Sequence, residues 1–269
     1  MKPDCLNNKI AVVTGARRGI GKAVAITFAD AGADVVVCDT VVNDGKLKET
    51  EDIIRKRGCR SLALQADISL RNDVEKTARQ TVEAFGRIDV LVNCAGVWIP
   101  GQTLLECSDE NWDAVINTNL KGTFLCCREM GHQMVAQRSG CIINLSSQVG
   151  LTPAMGAGAY STSKAGIIML TRQLAQELAR YKVRVNALAP GIVKTDFNAD
   201  FWKEPEKEKE ASVMVPLGRL AETEDIAQAA LFLASDASGY ITGEVLSING
   251  GWSPTSSVGG STSLTPGSQ

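Results

Sequence analysis

The sequence is poor in the residues that build metal centres and hydrolytic triads. It has a single histidine, His132, so a zinc site would have to consist almost wholly of thiolates. Its eight cysteines (Cys5, Cys38, Cys59, Cys94, Cys107, Cys126, Cys127 and Cys141) show no C-x-x-C spacing, which argues against such a site and against a disulfide framework. No G-x-S-x-G is present, so a serine hydrolase has no support. No apolar run approaches the roughly 20 residues of a membrane span, and the opening "MKPDCLNNKIAVVTG" lacks the apolar stretch of a secretion signal. A large excess of charge is also missing: 28 basic residues face 30 acidic ones, giving no general attraction to nucleic acid or anionic membrane. Several cysteines sit in apolar runs ("VVVCD", "LVNCAG", "GCIINL"), where Cys behaves as a small buried hydrophobe. The expectation is a reduced, cytoplasmic, metal-free protein with no nucleic-acid or membrane partner.

What the chain does have is alternation. Short β-branched runs at 9–15, 33–39, 60–67, 88–96, 140–147, 183–191 and 244–250 read as seven strands, continuous rather than alternating, as expected of strands covered on both faces. Segments of helical spacing lie between them, at 20–31, 73–85, 112–134, 159–181 and 224–235. Strand–helix alternation predicts an α/β fold, a single-domain Rossmann fold with a doubly wound, seven-stranded parallel sheet and helices on both faces. One domain over residues 1–252 is expected. Residues 197–215, "FNADFWKEPEKEKEASVMV", interrupt the last βα unit and read as a lid over a ligand site, with a solvated surface helix as the alternative. The tail 253–269, rich in Ser, Thr, Gly and Pro, cannot build a core and is expected to be disordered unless a neighbouring subunit holds it.

The first strand runs into "TGARRGIG", with Gly15, Gly19 and Gly21. Such glycines allow a tight turn, close approach of a pyrophosphate and close helix–strand packing, ahead of a helix N-terminus that favours anions. Asp39 closes the second strand, 18 positions beyond Gly21, where a carboxylate accepts hydrogen bonds from ribose hydroxyls and repels a 2′-phosphate. No Lys or Arg follows directly in "TVVND". Arg17 and Arg18 pull the other way, since an arginine in this loop can reach a 2′-phosphate. Asp39 is weighted more heavily, so NAD is the expected cofactor and NADP the alternative.

With these residues in place, the chain resembles the classical short-chain dehydrogenase/reductase family over residues 6–252. The motifs occur in the family's order: "TGARRGIG"; Asp67 in "QADIS", with Ile68; "NCAG", giving Asn93, Ala95 and Gly96 with Cys94 in place of a second asparagine; Asn119 in "INTNLKG"; Ser147 in "NLSSQVG"; Tyr160 and Lys164 in "YSTSK"; and "APGIVKT", giving Pro190, Gly191, Ile192 and Thr195. Ser147 precedes Tyr160 by thirteen residues, the family's separation. The resemblance implies that Asp67 binds the adenine ring and that Ile192 and Thr195 hold the nicotinamide carboxamide. It also implies that Lys164 binds the nicotinamide ribose and that Asn119 holds a water connecting Lys164 to solvent.

The residue chemistry is consistent with this. At i and i+4 on a helix, Tyr160 and Lys164 share a face. An ammonium about 4 Å from the phenol, at an effective dielectric of about 20, would favour the phenolate by up to roughly 4 kcal/mol. Tyr160 is then the general base for a substrate alcohol, or the acid for a carbonyl, with Ser147 holding the same oxygen.

Candidate pocket residues are Trp98, Ile99, Gln148, Leu151, Met155, Phe197, Phe201, Trp202 and Met214, a mostly apolar set suited to a moderately hydrophobic secondary alcohol or ketone. The helices 112–135 and 159–181 carry apolar residues on more than one face. In the family such helices pair across a two-fold axis, which implies a homodimer or a homotetramer. Two alternatives stand beside an NAD-dependent alcohol dehydrogenase: an NADPH-dependent 3-oxoacyl thioester reductase, and a non-catalytic dinucleotide-binding scaffold.

Overall fold

The structure is a computed structural model that describes residues 5–101 and 103–254. From residue 255 onward the expected tail lies outside the described residues, as does the side chain of Phe201. Seven strands form one sheet in the order β3-β2-β1-β4-β5-β6-β7, and every pairing is parallel. They are β1 (Ile10–Thr14), β2 (Asp34–Asp39), β3 (Ser61–Gln65), β4 (Val90–Asn93), β5 (Gly140–Leu145), β6 (Val183–Pro190) and β7 (Val245–Ile248). The expected doubly wound sheet is therefore present, with its strand order reversing between β1 and β4.

The apolar strands divide their side chains between two cores by simple alternation. Val13, Val35, Val37 and Ile143 join Phe28 of α1 (Gly19–Asp30) and Ile226 of α8 (Thr223–Ala234) on one face. Val12, Val36, Leu91 and Ile142 meet Met130 and Met134 of α5 (Thr123–Gln137) on the other. Helix α3 (Arg71–Phe85) adds Val74 to this second core, and α6 (Gly158–Leu178) adds Ala175.

Two elements depart from the sequence expectation. Helix α2 (Lys46–Lys56) was not anticipated, although Leu47, Thr50, Glu51 and Ile54, the residues buried on it, fall at the spacing of one helix face. The helix expected over 112–134 is three pieces: α4 (Asp109–Val115), a π-helical turn over Ile116–Gly122, and α5. The widened turn contains Asn119, which is fully buried. The 197–215 segment begins in a 3-10 turn over Asp196–Phe201 and continues into α7 (Pro205–Val213), on which only Ala211 is buried.

Candidate active site

The carboxyl ends of the strands lie in register. Thr14 pairs with Asn93, and Asn93 with Asn144. The Thr14 hydroxyl accepts from the backbone N–H groups of Cys94 and Ala95, each at 3.1 Å, which ties the β4 loop down onto the end of β1. Gly15 follows with φ +66°, and a Cβ there would lie 2.7 Å from the Ala95 Cα. A Cβ on Gly21 would lie 2.3 Å from the Gly15 carbonyl oxygen. The loop thus wraps tightly onto its own helix, and glycine is required at both positions. Helix α1 starts at Gly19 with no side-chain cap and no acidic residue in its first turn, leaving its N–H groups and positive dipole end for an anion.

Above this edge runs a cleft of about 530 Å³. Of the residues expected to hold a dinucleotide, Gly15, Arg18, Gly19, Ile20, Gly21, Asp39, Asp67, Ile68, Ala95, Gly96, Tyr160, Lys164 and Thr195 line it. The dimensions, the uncapped helix end and a carboxylate at the far end fit such a group. Four expected residues do not line the cleft. Asn93 is buried beneath it, donating to Asn144 Oδ1 at 2.8 Å. Pro190 is buried at the end of β6, and a Cβ on Gly191 would lie 2.9 Å from the Asn249 Cα. Ile192 packs with Trp202 and Trp252 against Ala211, Val215 and Leu220. The sequence reading also missed Cys38, Thr40, Val41, Thr118 and Leu145 on the cleft wall. Thr40 and Val41 could have been read from their place after Asp39; Thr118 carries no such signal.

At one end of the cleft every charge has a partner. Asp39 Oδ1 accepts from the Val41 N–H at 3.0 Å and faces Arg17 Nε at 3.5 Å. Arg17 Nη1 meets Asp44 Oδ2 at 2.6 Å; farther along the cleft, beside Thr195, Arg18 Nη1 lies 3.4 Å from Asp196 Oδ2. Asp67 Oδ1 accepts from both the backbone N–H and the hydroxyl of Ser69.

At the other end stand Ser147, Tyr160 and Lys164. The Ser147 hydroxyl bonds that of Tyr160. Lys164 is 3% exposed and donates from Nζ to the Leu145 carbonyl at 2.7 Å. Among the described residues no carboxylate lies within ion-pair distance of it. Asn119 Oδ1 accepts from the Val97 N–H at 2.8 Å, while its Nδ2 donates to the Val97 carbonyl and to Ser163 Oγ. Its amide therefore pins the β4 loop to α6 behind Lys164.

The expected lowering of the Tyr160 pKa by Lys164 is not found. Burial pushes the phenol up to about 12, opposed only by the Ser147 hydrogen bond. Burial likewise pulls Lys164 down to about 8. The reason is geometric: Nζ is held by Leu145 and lies 5.4 Å from the Tyr160 ring centre, so the loss of hydration outweighs the attraction.

Around Tyr160 the proposed pocket residues separate. Trp98 and Phe197 pack with it as three rings, with centroids 6.3 Å (Trp98–Tyr160), 5.8 Å (Trp98–Phe197) and 6.1 Å (Tyr160–Phe197) apart. Gln148 is buried next to Ser147, its Oε1 without a hydrogen-bond partner. Met155 is 95% exposed on a loop tip, and Trp202 turns inward, donating from Nε1 to the Thr195 carbonyl at 3.0 Å. These two residues do not shape the pocket in this conformation.

A parallel sheet with a dinucleotide-sized cleft at its strand-order reversal, and a half-buried tyrosine beside a buried lysine at one end, describes a nucleotide-linked oxidoreductase. Comparison with known proteins agrees. Residues 15–253 match a family model described as enoyl-(acyl carrier protein) reductase. The chain is 43% identical over 248 residues to (2S)-[(R)-hydroxy(phenyl)methyl]succinyl-CoA dehydrogenase subunit BbsD of Thauera aromatica, covering 91% of this chain and 97% of that one. It is 41% identical to the 3-oxoacyl-[acyl-carrier-protein] reductase FabG of Thermotoga maritima, covering 91% and 98%. Among solved structures, levodione reductase superposes with a TM-score of 0.87 at 29% identity, covering 94% and 99% of the two chains. A protein from Sinorhizobium meliloti 1021 assigned as a short-chain alcohol dehydrogenase gives 0.87 at 36%, covering 93% and 98%. The chain belongs to the short-chain dehydrogenase/reductase family. It is an oxidoreductase of a family that uses a nicotinamide cofactor on small-molecule substrates and is usually oligomeric. Among the described residues no helix is long and apolar enough to cross a membrane.

Proposed function

We propose that the protein interconverts a moderately hydrophobic secondary alcohol and its ketone with NAD(H), using Tyr160 as general acid/base. The observation that carries this reading is the cleft with its two unlike ends: Ser147, Tyr160 and Lys164 at one, and Asp39 beside Arg17, already matched to Asp44, at the other. Gly15, Gly19, Gly21 and the start of α1 would receive the pyrophosphate, and Asp39 the adenosine ribose. Asp67 and Ile68 would flank the adenine, Ala95 and Gly96 the middle of the molecule, and Thr195 the carboxamide. When bound, that group supplies the hydride acceptor or donor.

The chain's own residues manage the proton. Burial keeps Tyr160 protonated at neutral pH, the form that gives a proton to a carbonyl oxygen. Ser147, already bonded to Tyr160, would hold that oxygen. In the oxidative direction Tyr160 must first lose its proton, and the Ser147 hydrogen bond favours that state. Phe197 and Trp98, stacked on each other and tilted against Tyr160, would exclude water and face the substrate's apolar part, with 197–215 acting as the lid.

The test is a side-by-side titration of NADH and NADPH followed by a ketone panel, with Tyr160→Phe as control. Weak NADH binding, or reduction that survives Tyr160→Phe, removes the proposal. A second reading is a 3-oxoacyl thioester reductase. It is supported by the names of the Thermotoga and Thauera relatives, whose substrates are thioesters. A 3-oxoacyl group is itself a ketone, so the proton chemistry is shared; turnover of acetoacetyl-CoA with NADPH but not NADH would favour this reading. For assembly, we read the half-exposed Trp112 and Phe124 and the exposed Met169 as part of a homodimer or homotetramer contact, to be measured by light scattering.

A further inference from the structure

We propose that Asp44 is a positioning residue for cofactor choice: it holds Arg17 against Asp39 and so withholds from a 2′-phosphate the one arginine placed to receive it. This rests on reading the cleft as a dinucleotide site with Asp39 at its ribose end.

Arg17 lines the cleft together with Asp39, Thr40 and Val41, and its side chain is only 13% exposed. A guanidinium there, with no other carboxylate, would be an anion site in its own right. It is not left in that state. Nη1 lies 2.6 Å from Asp44 Oδ2, and Nε lies 3.5 Å from Asp39 Oδ1.

The Asp44 carboxylate is itself fixed. Its Oδ1 accepts from the Lys46 N–H at 3.1 Å, at the first residue of α2. The preceding Gly45 has φ +76°, and a Cβ on it would meet nothing within 4 Å, so the turn is set by backbone conformation rather than by packing. The carboxylate is therefore carried to Arg17 by the turn that starts α2. Arg17, Asp39 and Asp44 together carry one net negative charge, which repels a phosphate. Without Asp44 the cluster is neutral, and the guanidinium has a single long contact left. Arg18 is no substitute, being engaged by Asp196 near the nicotinamide-side loop that carries Thr195.

The experiment is direct binding of NADH and NADPH, read by energy transfer from the tryptophans, to the unaltered protein and to Asp44→Asn, Arg17→Ala and the double variant. Asp44→Asn keeps an oxygen for the Lys46 N–H, and Asp44→Ser is a second variant should the first fold poorly by circular dichroism. The expected result is NADPH binding tightened by roughly tenfold in Asp44→Asn, with NADH changed by less than about twofold. That gain should be absent when Arg17 is also replaced, and should shrink as salt is raised. Unchanged NADPH affinity in folded Asp44 variants overturns the proposal, as does a gain that persists without Arg17, because the effect would then be bulk charge. If the unaltered protein binds neither nucleotide, or prefers NADPH, the underlying cofactor reading fails instead, which is distinguishable because it shows before any substitution is made.

Discussion

The two ends of the cleft treat charge in opposite ways. At the Asp39 end the charges are paired and partly wet, Arg17 with Asp39 and Asp44. Such pairs contribute little to stability, about 0–1 kcal/mol each, but they decide which anions are tolerated. At the Tyr160 end the buried Lys164 donates to a carbonyl and lies over the Tyr160 ring, with no carboxylate within ion-pair distance among the described residues. The fall of its pKa from 10.5 to about 8 corresponds to roughly 3 kcal/mol carried by the folded state whenever Lys164 is charged. One end compensates its charges, and the other holds an uncompensated one.

The contrast is broken most strongly at Tyr160. Tyr160→Phe should lower turnover on the order of 10³-fold or more while leaving NADH binding in place; steady-state rates with parallel titration check this. Ser147→Ala should cost on the order of 10²-fold. It should also move the apparent Tyr160 ionisation upward in the pH–rate profile, because the Ser147 hydrogen bond is what holds that pKa down.

Lys164→Met tests the stored charge from the side of stability. Because the folded pKa lies below the unfolded one, the unfolded chain binds the extra proton between about pH 8 and 10.5, so the unaltered protein gains stability as pH rises through that window. The variant should therefore be inactive yet more stable at pH 7, by roughly 1–3 kcal/mol once the lost Leu145 bond is allowed for. The difference should narrow from about pH 8 and close by about pH 10.5 in denaturant titrations. Equal stability at pH 7 and pH 10 would show that Lys164 carries no such cost.

Gly21→Ala places a Cβ 2.3 Å from the Gly15 carbonyl, a backbone atom that cannot turn aside. A loss of roughly 1–3 kcal/mol in thermal or denaturant unfolding is expected, together with lost nucleotide binding. The smallest effect belongs to Asp196→Asn. Both partners of the Arg18 pair are about half-exposed, so stability should change by less than about 0.5 kcal/mol.

Much of this was legible in the chain. Seven strands could be read because strands buried on both faces must be apolar at every position, and alternation then sends Val35 and Val37 to one core and Val36 to the other. The glycine loop was legible because close backbone contact excludes any side chain, and the Ser147, Tyr160, Lys164 spacing because one strand end and one helix face carry all three. Helix α2 was not read, although its four buried residues of eleven fall on one helix face. Nor was the π turn at Asn119, which is held by bonds to Val97 and Ser163, 22 and 44 residues away. Local sequence determines propensity and pattern, and those sufficed for the sheet and the motifs. Three features depended on distances between residues far apart in the chain: the inward turn of Trp202, the pairing of Arg17 with Asp44, and the sign of the Tyr160 shift. Burial and charge depend on the neighbours that folding supplies, so only the tertiary structure could decide them.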